Sequence, residues 1–327
     1  MTTVDQPPQK ERWRPGPLEF LTAAIILLLI GQRWLIGLFD SPALQAGATI
    51  FVSIVVQATP FLVLGVLLSA AIAAFVPPAF WQRALPKNDF LAVPVAGAAG
   101  AILPGCECAS VPVAGSLMSR GVAPAAALAF LLSAPAINPI VLVSTWVAFP
   151  NNPMMVLARF VASLLTAVIM GWLWLRFGKG DWIRIPRRDH LVGHSNWETF
   201  RLTATHDFLH AGGFLVIGAF TAAILNVAVP PDVINALAGK AIISVVFMAF
   251  LAVILCICSE ADAFVAASLS QFSLTARLAF LVVGPMVDIK LISLQAGVFG
   301  RRFAQRFAPA TFVVAVLTSL AIGAWLL

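Results

Sequence analysis

Leu103-Pro-Gly-Cys106-Glu107-Cys108 and, 150 residues further on, Val253-Ile-Leu-Cys256-Ile-Cys258 hold all four cysteines of the chain. Two Cys-x-Cys pairs at one constant offset mark an internal repeat. Outward from them the register holds: Leu128-Ala-Phe-Leu131 returns as Leu278-Ala-Phe-Leu281, Pro135 as Pro285 and Asn138 as Asp288. Upstream the offset becomes 153, with Phe61-Leu-Val-Leu-Gly65 returning as Phe214-Leu-Val-Ile-Gly218 and Val76-Pro-Pro78 as Val229-Pro-Pro231. We read residues 47–177 and 207–327 as two copies. Residues 1–46 form an N-terminal tail with one extra leading transmembrane helix, and 178–206 a basic linker.

Composition sets the class. Of 327 residues, 61% are hydrophobic and only 10% charged, with a mean hydropathy of +0.97. Soluble domains carry about 25% charged residues, and disorder needs low hydrophobicity, so a polytopic all-α membrane protein remains. A spanning helix needs ~20 apolar residues. The runs 18–39, 47–76, 121–149, 153–177, 207–229, 277–299 and 308–327 qualify, and two further apolar stretches, 91–119 and 240–270, carry the cysteines. The polar start and the long first apolar run argue against a cleaved signal peptide. Four cysteines are no disulfide framework.

The basic residues choose between topologies. If each cysteine stretch is a full crossing, Lys and Arg divide evenly between the two sides. If each dips in and returns to its starting side, 15 of the 20 Lys and Arg fall on the cytoplasmic side: three before residue 15, then Arg83, Lys87, Arg120, the six of 176–206, Arg301, Arg302 and Arg306. The second arrangement is preferred. Each copy then has three crossings plus a re-entrant cysteine-bearing hairpin. An odd number of crossings inverts the second copy, as in many secondary transporters. The N-terminus and 178–206 are expected to be cytoplasmic, in a cell (inner) membrane.

Candidate site residues follow from what is costly at membrane depth. Thiolates are soft ligands, so Cys106, Cys108, Cys256 and Cys258 are candidate substrate ligands. Buried packing is the alternative for any cysteine. Glu107, Glu260, Asp262, Asp288 and Lys290 are ionisable groups within apolar stretches, where each costs at least ~2.5–3.5 kcal/mol. They are assigned to ion coupling, the alternative being a static pair of Lys290 with Asp288, Glu260 or Glu107. Asn138, the repeat partner of Asp288, either binds substrate or caps a helix break. Arg33 and Arg159 are expected to snorkel to the interface. The four histidines sit in or beside the linker, away from the cysteines. No Gly-x-x-x-x-Gly-Lys-Ser/Thr loop is present, so the chain is not its own ATPase. No catalytic constellation is visible and no cofactor is expected.

Pro104-Gly-Cys106-Glu107-Cys108, Val111-Pro-Val113, Arg120-Gly-Val122 and Ala134-Pro-Ala-Ile-Asn-Pro139 resemble the predicted permeases of YraQ type. Cys258-Ser-Glu260-Ala-Asp262-Ala-Phe-Val-Ala-Ala267 and Gly284-Pro-Met-Val-Asp288-Ile-Lys290 match that family's second half. The resemblance covers about 47–300. It implies an inner-membrane permease, in some members one working with a second membrane subunit. A related branch, the ArsP-type permeases, exports trivalent organoarsenicals through cysteines. That likeness implies Cys106, Cys108 and Cys258 as substrate ligands, although Glu107 stands where that branch has Ser. The expected function is a secondary transporter or efflux protein for a soft metal, metalloid or organoarsenical, coupled to protons. The alternative is an accessory, non-transporting subunit of a two-component permease complex, or a redox relay. The expected partners are the lipid bilayer, a small substrate and a second membrane subunit, with no nucleic acid.

Overall fold

A computed structural model describes residues 41–75, 77, 85–102, 107–184, 195–228, 241–259 and 261–327. The expected leading helix at 18–39 lies outside the described residues. Among the described residues there are twelve α-helices, one 3-10 turn at Gly180–Trp182 and no strand. The first six helices are α1 (Pro42–Phe75), α2 (Asp89–Ala99), α3 (Glu107–Ser119), α4 (Pro124–Ile137), α5 (Pro139–Ala148) and α6 (Met154–Phe177). The second six are α7 (Asn196–Ala228), α8 (Ala241–Leu255), α9 (Asp262–Ser268), α10 (Leu274–Val283), α11 (Ile289–Phe299) and α12 (Arg301–Leu326).

Several element boundaries recur at the offsets of the sequence matches. Helices α4 and α10 start 150 residues apart, as do α5 and α11, while α1 and α7 end 153 apart. Local chemistry sets these boundaries. Pro124 and Pro139 open α4 and α5 at the position where proline's missing N–H is harmless. Ser273 opens α10 by accepting from the Ala276 N–H at 3.2 Å.

Five stretches are long and apolar enough to cross a bilayer: Pro42–Phe75, Pro124–Ala148, Met154–Phe177, Asn196–Ile224 and Arg301–Leu326. The chain is a multi-pass membrane protein. Its outward faces are apolar, with Val52, Val56, Val216, Phe220, Val313 and Leu317 exposed. Two expectations are refined here. The run 277–299, long enough for one span but with a weak point expected at Gly284-Pro-Met-Val-Asp288, is divided there into α10 and α11, because Gly284-Pro285 cannot carry the hydrogen-bond ladder onward. The span after the linker starts at Asn196, not near 207. Ser195 caps it, accepting from the Glu198 N–H at 3.3 Å, and the helix continues into the apolar run without a break.

The cysteine stretches are helix pairs. Helix α2 is about 16 Å long and α8 about 22 Å, each short of the ~30 Å hydrocarbon core. Along α4, Gly97 lies against Ala129 and Gly100 against Ser133 and Ala134, so α2 and α4 run parallel. Helix α3 packs on α4 after a short turn and runs the other way. The start of α2 (Leu85–Asp89) and the α3–α4 turn (Gly121–Ala123) line one cavity of about 390 Å³. In the second half, Phe247 of α8 stacks on Phe272 just before α10, and Ala252 lies near Gly284 just after it. The same parallel pairing results.

Corresponding helices of the two halves meet antiparallel. On α1 and α7, Phe51 meets Phe220, Ser69 meets Asp207 and Phe75 meets Phe200. On α6 and α12, Trp174 meets Phe303 and Phe307, while Thr166 bonds Thr318 at 2.6 Å. Crossed contacts complete the pattern: α3 packs on α11, and α9 on α5.

Candidate functional site

The α3–α11 crossing holds the most highly charged buried cluster among the described residues. Glu107 is the first residue of α3. Gly284-Pro285 stops α10, the chain extends through Asp288, and Lys290 falls in the first turn of α11. Lys290 is fully buried. Its Nζ lies 2.5 Å from Glu107 Oε1, 3.7 Å from Asp288 Oδ2 and 3.9 Å from Cys258 Sγ. Cys108 also lies within its electrostatic reach, and the Cys256 thiol faces Asp288 and the Lys290 backbone N–H. Cys256 is the one non-glycine residue at positive φ among the described residues, at 55°, a conformation that most side chains resist by roughly 1–2 kcal/mol. It turns the chain out of α8 so that the Cys256 thiol lies at Asp288 and the Cys258 sulfur at the lysine ammonium.

Two glycines bring the long helices onto this cluster. Gly218 of α7 abuts α11 so closely that a Cβ would sit 2.7 Å from Lys290 Cα. Its repeat partner Gly65 of α1 abuts the Ala109 backbone on α3, two residues past Glu107. The cluster is thus enclosed by both halves.

Asp288 has a second duty. Its Oδ1 accepts the Leu291 N–H at 2.5 Å and caps α11. Asn138 does the same for α5: Oδ1 accepts from the Val141 N–H at 3.0 Å, and Nδ2 donates to the Ala134 carbonyl at 3.1 Å. Of the two roles open to Asn138, the geometry supplies the cap. Asn138→Ala should therefore cost about 1 kcal/mol and lower the midpoint of thermal unfolding in detergent by a few degrees. Asn138→Asp, which keeps an acceptor at Oδ1, should lose less.

A second buried centre ties the halves together. Arg159 of α6 is fully buried and grips Asp262 of α9 with two bonds, Nη1 to Oδ1 at 2.9 Å and Nη2 to Oδ2 at 2.8 Å. Nη1 also donates to Thr145 Oγ1 on α5 at 2.8 Å, and Nη2 to the Ser259 carbonyl at 3.3 Å. The expectation that Arg159 snorkels to the interface is corrected. A guanidinium can stay at depth when a carboxylate meets it fork to fork and a hydroxyl and a carbonyl take further N–H groups.

Of the residues expected to form the site, the fold brings together Glu107, Cys108, Cys256, Cys258, Asp288 and Lys290. Asp262 belongs to the Arg159 centre, and Asn138 to a helix break. Cys106 and Glu260 lie outside the described residues. Among the described residues no group of three or more His, Cys, Asp or Glu side chains is arranged to hold a metal ion. The lysine ammonium occupies the middle of the carboxylates and thiols. Arg159 and Thr145 are the residues that sequence reading missed. An arginine inside an otherwise apolar run was the available signal.

An all-helical, multi-pass body with buried charge at broken helices has the form of a membrane transport protein. A family model described as "Predicted permease", of ArsP type, matches residues 43–324, and the chain belongs to that family. It is 38% identical over 276 residues to UPF0718 protein YcgR of Bacillus subtilis, covering 82% of this chain and 93% of that protein. It is 32% identical over 283 residues to a Streptococcus mutans protein named as a candidate subunit of a two-component membrane permease complex, covering 84% of this chain and 94% of that one. No solved structure matches the chain.

Proposed function

We propose that the chain is a secondary transporter of the inner membrane. In this reading its two halves are inverted copies, each with a re-entrant cysteine hairpin, and they alternate about the α3–α11 crossing. The antiparallel meeting of α1 with α7 and of α6 with α12 supports the inversion. The shared cavity between the start of α2 and the α3–α4 turn supports the re-entrant path. The single observation that carries the transport reading is Lys290, fully buried yet paired with Glu107 from the other half. An intramembrane ion pair at a helix break, between elements that must move apart, is where coupling to an ion is expected. Glu107, Asp288 and Lys290 are the coupling groups. Asp262 has its place in the Arg159 clamp, and Glu260 remains a candidate by sequence alone. Cys106, Cys108, Cys256 and Cys258 offer soft ligands to a metalloid or organoarsenical cargo. The basic loops favour a cytoplasmic N-terminus and linker.

The test is uptake of a trivalent organoarsenical into everted membrane vesicles driven by an imposed pH gradient. Wild-type vesicles should accumulate it. Cys106→Ser combined with Cys108→Ser should reduce uptake to the level of vesicles lacking the protein. Unchanged uptake in that variant would exclude the thiols as ligands.

A second reading is favoured by the name of the Streptococcus relative: a subunit that works only with a second membrane protein. In that case vesicles containing this chain alone should show no flux, and co-expression of a partner should restore it.

A further inference from the structure

The charges of the central cluster do not balance. Glu107 and Asp288 are carboxyl groups, Lys290 is the one cation beside them among the described residues, and all three are buried. With every group ionised the cluster would carry one surplus negative charge in a medium that punishes it severely. Among the described residues no second cation lies within ion-pair distance of it: α3 contributes Glu107 and Cys108, α11 contributes Asp288 and Lys290, and the segment after α8 contributes Cys256 and Cys258. Helix α7 contributes only Gly218 and its neighbours. Arg159 is committed to Asp262, Thr145 and Ser259. The carboxyls also have acceptor capacity left over, since Glu107 Oε2 and Asp288 Oδ2 are buried and accept no hydrogen bond. Among the described residues no group of three or more acidic, thiol or imidazole side chains is arranged to hold a metal ion. A sodium-like ion needs several oxygens, and here the ammonium already stands between the two carboxyls.

We infer that Glu107 and Asp288 together bind one proton in the resting protein, with Lys290 held cationic between them. The site is a one-proton store, and its ligand is H⁺ taken from water. The balance is simple: one O–H bond forms on a carboxylate oxygen, and the cluster becomes neutral. This deepens the transport reading by fixing how many protons the resting site holds and that two carboxyls share it, and it rests on that reading only for what the proton is used for. The repeat supplies the control variant. Asp288→Asn places an amide where Asn138 already caps the equivalent helix, so the fold has a precedent for it. Asp288→Asn and Glu107→Gln each leave one carboxylate facing one ammonium, a neutral pair that requires no proton.

The test is infrared spectroscopy of the purified full-length protein in lipid at slightly alkaline pH, where exposed carboxyls are ionised. Wild type should show a protonated-carboxyl C=O band equivalent to one group per chain. Asp288→Asn and Glu107→Gln should each lose it. Absence of the band in wild type, a measurement that depends on no variant, overturns the inference. So does a band that survives in both variants. Vesicle flux is scored separately. A band that behaves as expected alongside flux indifferent to the pH gradient refutes proton coupling but leaves the one-proton site standing.

Discussion

Lys290→Met should be the most damaging single substitution in this protein. The methionine fills a similar volume but removes the cation shared by Glu107 and Asp288. The two carboxyls then face each other at membrane depth with no counter-charge. Breaking a buried pair by deleting one partner costs about 3–5 kcal/mol. The α3–α11 crossing joins the halves, so the loss falls on the whole body. For a unit of this size we expect a fall of roughly 6–20 °C in the unfolding midpoint in detergent, together with complete loss of vesicle uptake. Adding Glu107→Gln and Asp288→Asn to Lys290→Met should recover most of the lost stability and none of the uptake. A Lys290→Met protein that melts like wild type would show that the pair contributes little to the fold.

The second large effect is expected at Arg159. Arg159→Leu strands Asp262 without a counter-charge and leaves Thr145 Oγ1 and the Ser259 carbonyl without their guanidinium donor. The expected cost is again about 3–5 kcal/mol. The informative comparison is the cycle with Asp262→Leu. Each single variant should melt far below wild type. The double variant, with neither charge present, should recover most of the loss, because a desolvated pair can be replaced by apolar packing at little cost. Thermal melts of the four proteins in one detergent measure this. Additive losses in the double variant would refute direct coupling of the two side chains.

The two ion pairs differ in how far sequence could reach them. Glu107, Asp288 and Lys290 announced themselves as charges inside apolar runs, each beside a cysteine or a proline break. Their meeting was not legible, because α3 and α11 are not corresponding segments of the repeat and touch in a crossed contact. Arg159 and Asp262 are 103 residues apart, and no short-range pattern links them. An arginine five residues into an apolar helix looks much like one that snorkels until the partner helix is in place. The double duty of Asn138 and Asp288 was half legible. A polar residue after proline suggests a cap, but which N–H it takes depends on the turn that follows. The break at Gly284-Pro285 was readable as a weak point. Hydropathy alone carried the run 277–299 across it, since composition does not register a lost hydrogen-bond ladder. The longer α7 was hidden for the opposite reason: its first turns are polar, and hydropathy reports lipid contact rather than helicity.

The helix caps Asn138 and Asp288 occupy equivalent positions, yet one is a neutral amide and the other an acid. The position equivalent to Lys290 is Ile140. The element boundaries recur, but the buried charge at the two crossings differs: a lysine between two carboxyls at one, an arginine clamped on one carboxylate at the other. If the halves exchange roles during a cycle, the two end states are related by shape and not by energy. Opening towards one side disturbs the lysine-centred α3–α11 crossing, and opening towards the other disturbs the α9–α5 crossing with its Arg159–Asp262 clamp. A built-in preference for one facing state is the consequence of that difference between the two crossings.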